Sequence, residues 1–268
     1  VVLADEERFA RLGQGVDAAG RLAPEAMDRV VDRLAQSLQS ARSYGVSRVV
    51  IGATSASRDA ANVADLEARV RDDLGLEYAV ISGADEARLS FLGALAMLPG
   101  TDRAVVFDVG GGSTEIASGA RGTAPVFSTS LDVGTVRLTE RHGAVPPVGP
   151  EPLAAVEADV HAALAIVPDE VWATSSLVGT GSTAKVIAHL ASGATVSADA
   201  VRESRERLAG LTPEALTAQA PEIMTGRADV ALTALVIVQT ILNVAGASGF
   251  TASTGGLRHG LALEAARE

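Results

Sequence analysis

Two carboxylates bracket a glycine-rich turn near the middle of the chain. The stretch reads F-D-V-G-G-G-S-T-E-I from Phe107 to Ile116, with Asp108 near one end and Glu115 near the other. Glycines have no Cβ, so such a backbone can approach a ligand closely and offer its N–H groups to an anion. Carboxylate oxygens suit a hard cation, so the stretch predicts a phosphate held together with a divalent metal ion. The residues predicted to hold the phosphate are Gly110, Gly111, Gly112, Ser113 and Thr114.

The structural alternative is a glycine-rich β-hairpin with two solvated acids, which the glycines alone would favour. An acid at each end of the string favours the binding site instead. The apolar segment before it, Ala104 to Phe107, predicts a buried strand, and Ile116 to Ser118 predicts a second one. The carboxylates and the glycines are therefore placed where two strands meet.

Two more glycine-rich loops follow predicted strands. The segment from Val171 to Val178 predicts a strand that runs through a G-T-G-S-T loop, with Gly181 and Ser182, into a helix. The loop from Thr254 to Arg258 begins the last helix in the same way. N–H groups at a helix N-terminus bind phosphate, so Gly181 and Ser182 are predicted phosphate ligands. Each loop could also be a simple turn, and neither matches G-x-x-x-x-G-K-[ST].

The first hundred residues add an arginine and a glutamate at predicted helix starts. A strand from Val46 to Thr54 precedes a helix that we expect from Ser55 to Leu74, with Ser55 and Ser57 as N-cap candidates and Arg58 in its first turn. Arg58 is either an exposed arginine or a ligand for an anion. A strand from Leu76 to Ile81 precedes another helix, whose first turn contains Asp85 and Glu86. Acids in a first helical turn commonly complement the helix dipole, which accounts for Glu86 taken by itself.

The remaining pattern predicts an α/β protein. Helical spacing recurs from Pro24 to Ser43, and strongly apolar spacing from Ala228 to Ala245 indicates a central helix. Val1 to Glu7 is expected to be the tail of a hairpin strand. Pro99-Gly100 is the predicted domain boundary, which gives domains at residues 1–100 and 101–268.

Composition excludes several classes of protein. The 268 residues are 47% hydrophobic and carry a net charge of −11, which argues against a broad nucleic-acid or anionic-membrane surface. There is no cysteine, so disulfides and thiolate metal sites are excluded, and the four histidines are too far apart to form a metal-ligand motif. No stretch has the length of a transmembrane helix and no signal peptide is evident, so we expect a soluble cytoplasmic protein.

Five motifs in order resemble one family. They are A-T-S-A-S-R-D-A at 53–60, I-S-G-A-D-E-A-R-L at 81–89, F-D-V-G-G-G-S-T-E at 107–115, V-G-T-G-S-T at 178–183 and G-L-R-H-G at 256–260. With R-L-G-Q-G at 11–15 and G-R-A-D at 226–229, which are also similar, the matches extend over nearly the whole chain. The chain resembles the exopolyphosphatase and guanosine pentaphosphate phosphatase family, in the actin-like ATPase superfamily.

The resemblance implies two actin-like (ribonuclease H-like) α/β domains with the active site in the cleft between them. It implies Mg²⁺-dependent hydrolysis of a terminal phosphoanhydride of inorganic polyphosphate or of pppGpp, by a homodimer. Glu86 matches the family's catalytic glutamate, which would orient and deprotonate the attacking water. Asp108 and Glu115 match the acids that support Mg²⁺. Arg58 joins the glycine-loop residues as a phosphate ligand.

One motif of the family has no counterpart in this sequence. Members begin with a strand and a D-x-G-[ST]-N-S phosphate loop, and the sequence lacks these first strands of the N-terminal domain. Either the segment precedes Val1 or it has been lost, and a protein without it is expected to have weak or no catalysis.

The sequence leaves the substrate open. Exopolyphosphatase is the preferred function, because no residue identifies a guanine pocket for pppGpp. A non-catalytic sensor that binds polyphosphate or nucleotides would explain the absent first loop, but Glu86, Asp108 and Glu115 argue against it. An ATP-dependent kinase of the same superfamily is disfavoured, because Glu86 is interpreted as activating water.

Overall fold

A computed structural model describes residues 2–173 and 176–267, which form an α/β protein with two compact units, Val1–Ser82 and Gly83–Glu268. The strands are β1 Gly52–Ala53, β2 Ala79–Val80, β3 Arg103–Val109, β4 Thr114–Ala120, β5 Phe127–Leu131, β6 Leu177–Thr180, β7 Thr195–Ser197 and β8 Gly249–Ala252. The helices are α1 Val16–Ala19, α2 Pro24–Ser43, α3 Ser55–Asp59, α4 Val63–Leu74, α5 Gly83–Ala96, α6 Thr135–His142, α7 Pro150–Leu164, α8 Asp169–Trp172, α9 Gly181–Leu190, α10 Ala198–Ala209, α11 Pro213–Gln219, α12 Pro221–Met224, α13 Ala231–Val244 and α14 Leu257–Ala265. None of the described helices is long and apolar enough to cross a membrane.

The first unit is built on α2, which packs against α4. The observed bounds of α2 confirm the prediction, because proline is favoured in the first helical turn and Gly45, at φ 71°, ends the helix readily. The apolar faces of the two helices bury Met27 and Val31 of α2 with Leu66 and Val70 of α4.

The strands of this unit are shorter than predicted. The expected strands 46–54 and 76–81 form only the two-residue parallel pair β1–β2, because a strand needs a hydrogen-bonded partner along its length and the described ladder stops there. The expected strand at residues 1–7 is also wrong for the residues described. Instead, Glu6 accepts a hydrogen bond from Ser40, and Arg8 donates to Gln36, so this segment runs along α2.

The helix expected from Ser55 to Leu74 is interrupted. Ala60 has extended dihedral angles (φ −93°, ψ 121°), which end α3 after five residues. The buried side chain of Asn62 accepts a hydrogen bond from Leu22 N and donates one to Leu22 O, at 2.8 and 3.1 Å. This long-range pair of hydrogen bonds holds the break between α3 and α4, and no local pattern in the sequence reveals it.

The second unit is built on a six-stranded mixed sheet with strand order β5-β4-β3-β6-β8-β7. Strand β3 is antiparallel to β4 and parallel to β6. Alternate residues of β3 face opposite sides, as the pleat requires. Ala104 and Val106 contact the cluster that includes Phe91 of α5, whereas Phe107 and Val109 join the main core on the other side. The side chain of Asp108 therefore lies on the face of the sheet that packs against α5.

The main core confirms the predicted central helix. Helix α13 is buried along most of its length and packs against α7 and α10. The strand predicted at 171–178 is wrong at its beginning, since Pro168 and two acids start the short helix α8 and β6 begins only at Leu177. Thr174 and Ser175, which the prediction included, lie outside the described residues.

Helix α5 packs backbone to backbone against α14. A Cβ on Gly93 would lie 2.0 Å from the Gly256 carbonyl oxygen, and one on Gly260 would lie 2.1 Å from the Leu89 carbonyl oxygen. Only glycine permits such close approach. The division into compact units falls after Ser82. The predicted domain boundary at Pro99-Gly100 stays a prediction.

Candidate active site

The glycine-rich turn joins β3 to β4 and is held by the first residues of α6. The carbonyls of its three glycines accept hydrogen bonds from the N–H groups of Thr135 and Val136 and from Arg137 Nε, at 2.7 to 2.9 Å. In a trans peptide the next N–H points opposite to the carbonyl, so the N–H groups that follow point away from α6. These potential anion donors belong to Gly111, Gly112 and Ser113.

The approach of the turn to α6 depends on Gly134. A Cβ there would lie 2.5 Å from the Gly111 carbonyl oxygen. Gly134 has extended dihedral angles (φ −150°, ψ 163°) that any residue adopts, so its requirement is steric. No local pattern in the sequence indicates that Gly134 supports the turn.

The two acids of the turn form a cross-strand pair. Asp108 on β3 lies opposite Glu115 on β4, and the next strand on each side places Thr180 opposite Asp108 and Ser130 opposite Glu115. Side chains directly opposite one another lie on the same face of a sheet. The row of four polar side chains therefore crosses the sheet on its α5 side, at the ends of β3 and β6.

Glu86 comes to this row from the first turn of α5. It is buried, with 7% of its surface exposed, and its charge acts on Glu115. The neighbouring Asp85 is half exposed and pairs with Arg88 at 3.2 Å. The structure thus separates the two acids of the 85–86 pair and brings Glu86, rather than Asp85, to the strand carboxylates.

Serine hydroxyls hold both strand carboxylates. Ser90 of α5 donates to Asp108 Oδ2 at 2.9 Å, while Ser113 and Ser130 both donate to Glu115 Oε1 at 2.7 Å. Sequence reasoning missed Ser90 and Ser130. A signal existed for Ser90, which stands one helical turn after Glu86 and therefore on the same face of α5.

The hydroxyls of the turn itself do not both face the acids. Ser113 commits its single hydroxyl proton to Glu115, so in this arrangement it can offer a phosphate only its backbone N–H. Thr114 is fully buried and donates to the Val133 carbonyl at 2.7 Å. Since Thr114 and Glu115 are adjacent on a strand, the Thr114 side chain lies on the opposite face of the sheet.

Burial raises the pKa of Glu115 well above its usual range, and the charges of Glu86 and Asp108 raise it further. The hydroxyl hydrogen bonds from Ser130 and Ser113 oppose this shift, because they favour the charged form. Three converging carboxylates with little water are costly unless a proton or a cation joins them. The arrangement is thus suited to attract positive charge.

The first residue of α9 is a glycine, which allows this helix to begin beside Asp108. Gly181 has φ 76°, and a Cβ on it would lie 2.2 Å from Asp108 Oδ1. Thr180 fixes the same loop by donating its hydroxyl to the Gly255 carbonyl. Gly181 is therefore brought to the carboxylates, and Ser182 follows it in the first turn of α9.

Arg58 lies in the first unit, at the end of the short helix α3. It is half-buried and its guanidinium donates to the Ile81 carbonyl at 3.2 Å. The N-cap of α3 is Thr54, not Ser55 or Ser57. The Ser57 hydroxyl is instead buried against the Tyr78 hydroxyl at 2.8 Å. The phosphate-binding role of Arg58 stays a prediction.

The carboxylates of Asp108 and Glu115 fit a magnesium ion whose remaining ligands are phosphate oxygens and water. Among the described residues, no group of three or more His, Cys, Asp and Glu side chains has the geometry of a metal site. Mg²⁺, however, is commonly bound through one or two carboxylates with phosphate oxygens and water completing its shell. Asp108 and Glu115 supply such a pair, beside the N–H groups of the glycine turn.

The sequence as a whole matches the profile of the Ppx/GppA phosphatase family over residues 1–268. The chain belongs to this family. "Exopolyphosphatase 2" of Mycobacterium tuberculosis (strain CDC 1551 / Oshkosh) is 37% identical over 286 aligned positions, covering 97% of this chain and 88% of that protein. The Ppx/GppA resemblance inferred from the five motifs is thereby confirmed.

Solved structures confirm the predicted α/β fold. An exopolyphosphatase from Cytophaga hutchinsonii ATCC 33406 superimposes with a TM-score of 0.88 at 25% identity, covering 98% of this chain and 89% of that one. The Ppx/GppA family member of Aquifex aeolicus gives a TM-score of 0.78 at 25% identity, covering 97% and 87%. The roles of individual site residues and the Mg²⁺ requirement stay predictions.

Proposed function

We propose that this Ppx/GppA protein is an exopolyphosphatase, which hydrolyses the terminal phosphoanhydride of inorganic polyphosphate and requires Mg²⁺. The convergence of Glu86, Asp108 and Glu115 beside the glycine turn carries the proposal. Phosphoryl transfer depends mainly on positioning and on neutralising developing charge, which such a site can supply. The similarity to the mycobacterial "Exopolyphosphatase 2" supports polyphosphate as the substrate.

Glu86 is assigned to the attacking water. Its buried carboxylate would accept the water proton while the water oxygen attacks the terminal phosphorus and the bridging P–O bond breaks. The released products are inorganic phosphate and a polyphosphate chain one unit shorter. The acids in the first helical turn, Asp85 and Glu86, differ in burial, and Glu86 is the buried one, whose charge acts on Glu115.

The other residues hold the phosphates. The N–H groups of Gly111, Gly112 and Ser113 would bind the oxygens of the terminal phosphate, and Gly181 and Ser182 would bind the same phosphate or its neighbour. Asp108 and Glu115 would hold Mg²⁺, which when bound supplies positive charge against the phosphate oxygens. Arg58 is proposed as a further phosphate ligand.

Two other functions remain as alternatives. Hydrolysis of pppGpp would use the same residues on the terminal phosphoanhydride of a nucleotide, so the site chemistry does not separate it from polyphosphate hydrolysis. A non-catalytic sensor would bind polyphosphate without releasing phosphate. A cytoplasmic location and a homodimer complete the proposal, and a monomer mass at micromolar concentration would contradict the dimer.

Phosphate release from long-chain polyphosphate with Mg²⁺ tests the proposal. It is measured on the 268-residue chain, on the same chain preceded by the family's first phosphate loop, and on Glu86→Gln and Asp85→Asn variants of each. We expect Glu86→Gln to abolish release and Asp85→Asn to retain most of it, because Asp85 is partly exposed and paired with Arg88.

The possible outcomes distinguish the exopolyphosphatase, the pppGpp phosphatase and the non-catalytic sensor. Release lost only in Glu86→Gln supports exopolyphosphatase with Glu86 as the base. Phosphate release from pppGpp alone would favour the alarmone phosphatase. Binding of polyphosphate by equilibrium dialysis without release from any version would contradict the enzyme and favour the sensor.

A further inference from the structure

Ser130 reaches the carboxylate cluster from the edge strand of the sheet. Strand β5 is the outermost strand next to β4, and Ser130 stands directly opposite Glu115. Its hydroxyl donates to Glu115 Oε1 at 2.7 Å. The hydroxyl of Ser113, from the glycine turn, donates to the same oxygen at the same distance. Two hydroxyls from different elements therefore hold one oxygen of Glu115.

This arrangement distinguishes the two oxygens of Glu115. The last side-chain torsion of glutamate is broad and roughly two-fold, so a carboxylate without fixed donors exchanges its oxygens readily. Donors from β5 and from the turn define the plane of the carboxylate and occupy Oε1. Among the described residues no hydrogen bond to Oε2 accompanies these two, so Oε2 is the oxygen left for another ligand. The backbone of Glu115 is already fixed, because β4 is paired on both sides.

We propose that Ser130 is a positioning residue that presents Oε2 of Glu115 to the divalent cation of the site. The inference rests on the proposed function for the identity of the ion, but the contact itself lies within one unit. Partners that orient a metal-binding carboxylate commonly change metal affinity or activity 10- to 100-fold when removed. Ser130 is thus expected to act through Glu115 and to touch neither phosphate nor water.

Strand β5 provides a matched control. Ser128 stands two residues earlier, is half-buried like Ser130 and lies on the same face of the sheet. Its cross-strand partner is Ala117, which has no group to position. Ser128→Ala therefore removes the same hydroxyl from the same strand without touching a carboxylate. Ser130→Thr keeps the hydroxyl and adds a methyl group of a kind that strands accept well.

The test compares Ser130→Ala, Ser130→Thr and Ser128→Ala in two measurements. The first is calorimetric titration of each protein with MgCl₂ in the presence of inorganic phosphate, which needs no turnover. The second is the Mg²⁺ concentration for half-maximal phosphate release, with kcat and KM for polyphosphate taken separately. We expect Ser130→Ala to weaken Mg²⁺ binding about 10-fold or more, with Ser130→Thr and Ser128→Ala within about threefold of the parent protein.

Two results would overturn the inference. One is equal Mg²⁺ affinity in Ser130→Ala and Ser128→Ala, and the other is absence of any Mg²⁺ binding by the parent protein. If the parent binds Mg²⁺ but releases no phosphate, the proposed function fails, while the titrations still decide the role of Ser130. A lower thermal midpoint shared by both alanine variants would mark an effect on the strand rather than on the cation.

Discussion

The substitution Gly181→Ala tests whether the position of Asp108 controls catalysis. The added Cβ would lie 2.2 Å from Asp108 Oδ1, and real Cβ atoms essentially never come closer than 3.0 Å to another heavy atom. The carboxylate, or the start of α9, must therefore move by at least about 0.8 Å. A misplacement of about 1 Å at a reacting centre can cost about 100-fold in rate, so we expect kcat for polyphosphate to fall by about that factor.

The backbone cost of this substitution must be separated from the displacement. Gly181 has φ 76°, where an alanine loses about 1–2 kcal/mol whatever its surroundings. Gly122, in the turn between β4 and β5, has the same φ of 76°, and nothing lies within 4 Å of a Cβ placed on it. Gly122→Ala therefore carries the strain without the clash, and it is the control for Gly181→Ala.

The assay is phosphate release at saturating Mg²⁺ and polyphosphate, with the thermal midpoint of each variant measured beside it. We expect the two variants to lose similar stability and only Gly181→Ala to lose kcat. If Gly181→Ala retains kcat within about threefold of Gly122→Ala, the position of Asp108 does not limit the reaction, and the argument from displacement is refuted.

Three further predictions follow from contacts around the acids. Burial and the neighbouring charges raise the pKa of Glu115 above 4.5, so between about pH 4.5 and the raised pKa the folded protein holds a proton on Glu115 that the unfolded protein has lost. Without Mg²⁺, the free energy of unfolding should therefore fall as pH rises through this range and stay level above it. Denaturant titrations should show the fall in the parent protein relative to Glu115→Gln. Ser90→Ala removes the donor to Asp108 Oδ2 and should lower phosphate release about 10-fold, with Ser204→Ala, another buried helical serine, near the parent rate. Gly134→Ala would place a Cβ 2.5 Å from the Gly111 carbonyl oxygen, so it should shift the glycine turn and lower kcat/KM about 100-fold, and an unchanged kcat/KM would show that the turn does not bind the phosphate.

The sequence patterns correctly predicted those parts of the structure that depend on the residue types within one element or one hairpin. The bounds of α2 follow from a proline at its start and a glycine after its end, and α13 follows from an apolar sequence that only a buried helix accommodates. Asp108 and Glu115 were also found locally, because they are seven positions apart in one hairpin, which places them opposite one another. The contacts that fix the ends of α2 and the pairing of the two acids are close in sequence, and α13 is recognisable from its apolar composition alone.

The parts that the sequence did not predict depend on distant contacts. The break between α3 and α4 is held by Asn62 and Leu22, 40 residues apart. Ser90 and Ser130 are ordinary serines in an apolar helix and an edge strand until β3 and β4 bring carboxylates to them. Hydroxyl donors have no distinctive spacing, so their role becomes visible only when the acceptor is known.

Under the proposed function, the charges of the site make the binding of cation and phosphate interdependent. Glu115 is buried near Glu86 and Asp108, so a polyphosphate that approaches these acids without a cation meets like charge in a site with little water to screen it. A divalent cation between Asp108, Glu115 and the phosphate oxygens removes that repulsion for both sides. Because such coupling is reciprocal in binding free energy, polyphosphate must strengthen Mg²⁺ binding by the factor by which Mg²⁺ strengthens polyphosphate binding. The net charge of −11 is therefore compatible with a polyanionic substrate, provided that the cation is bound at these acids.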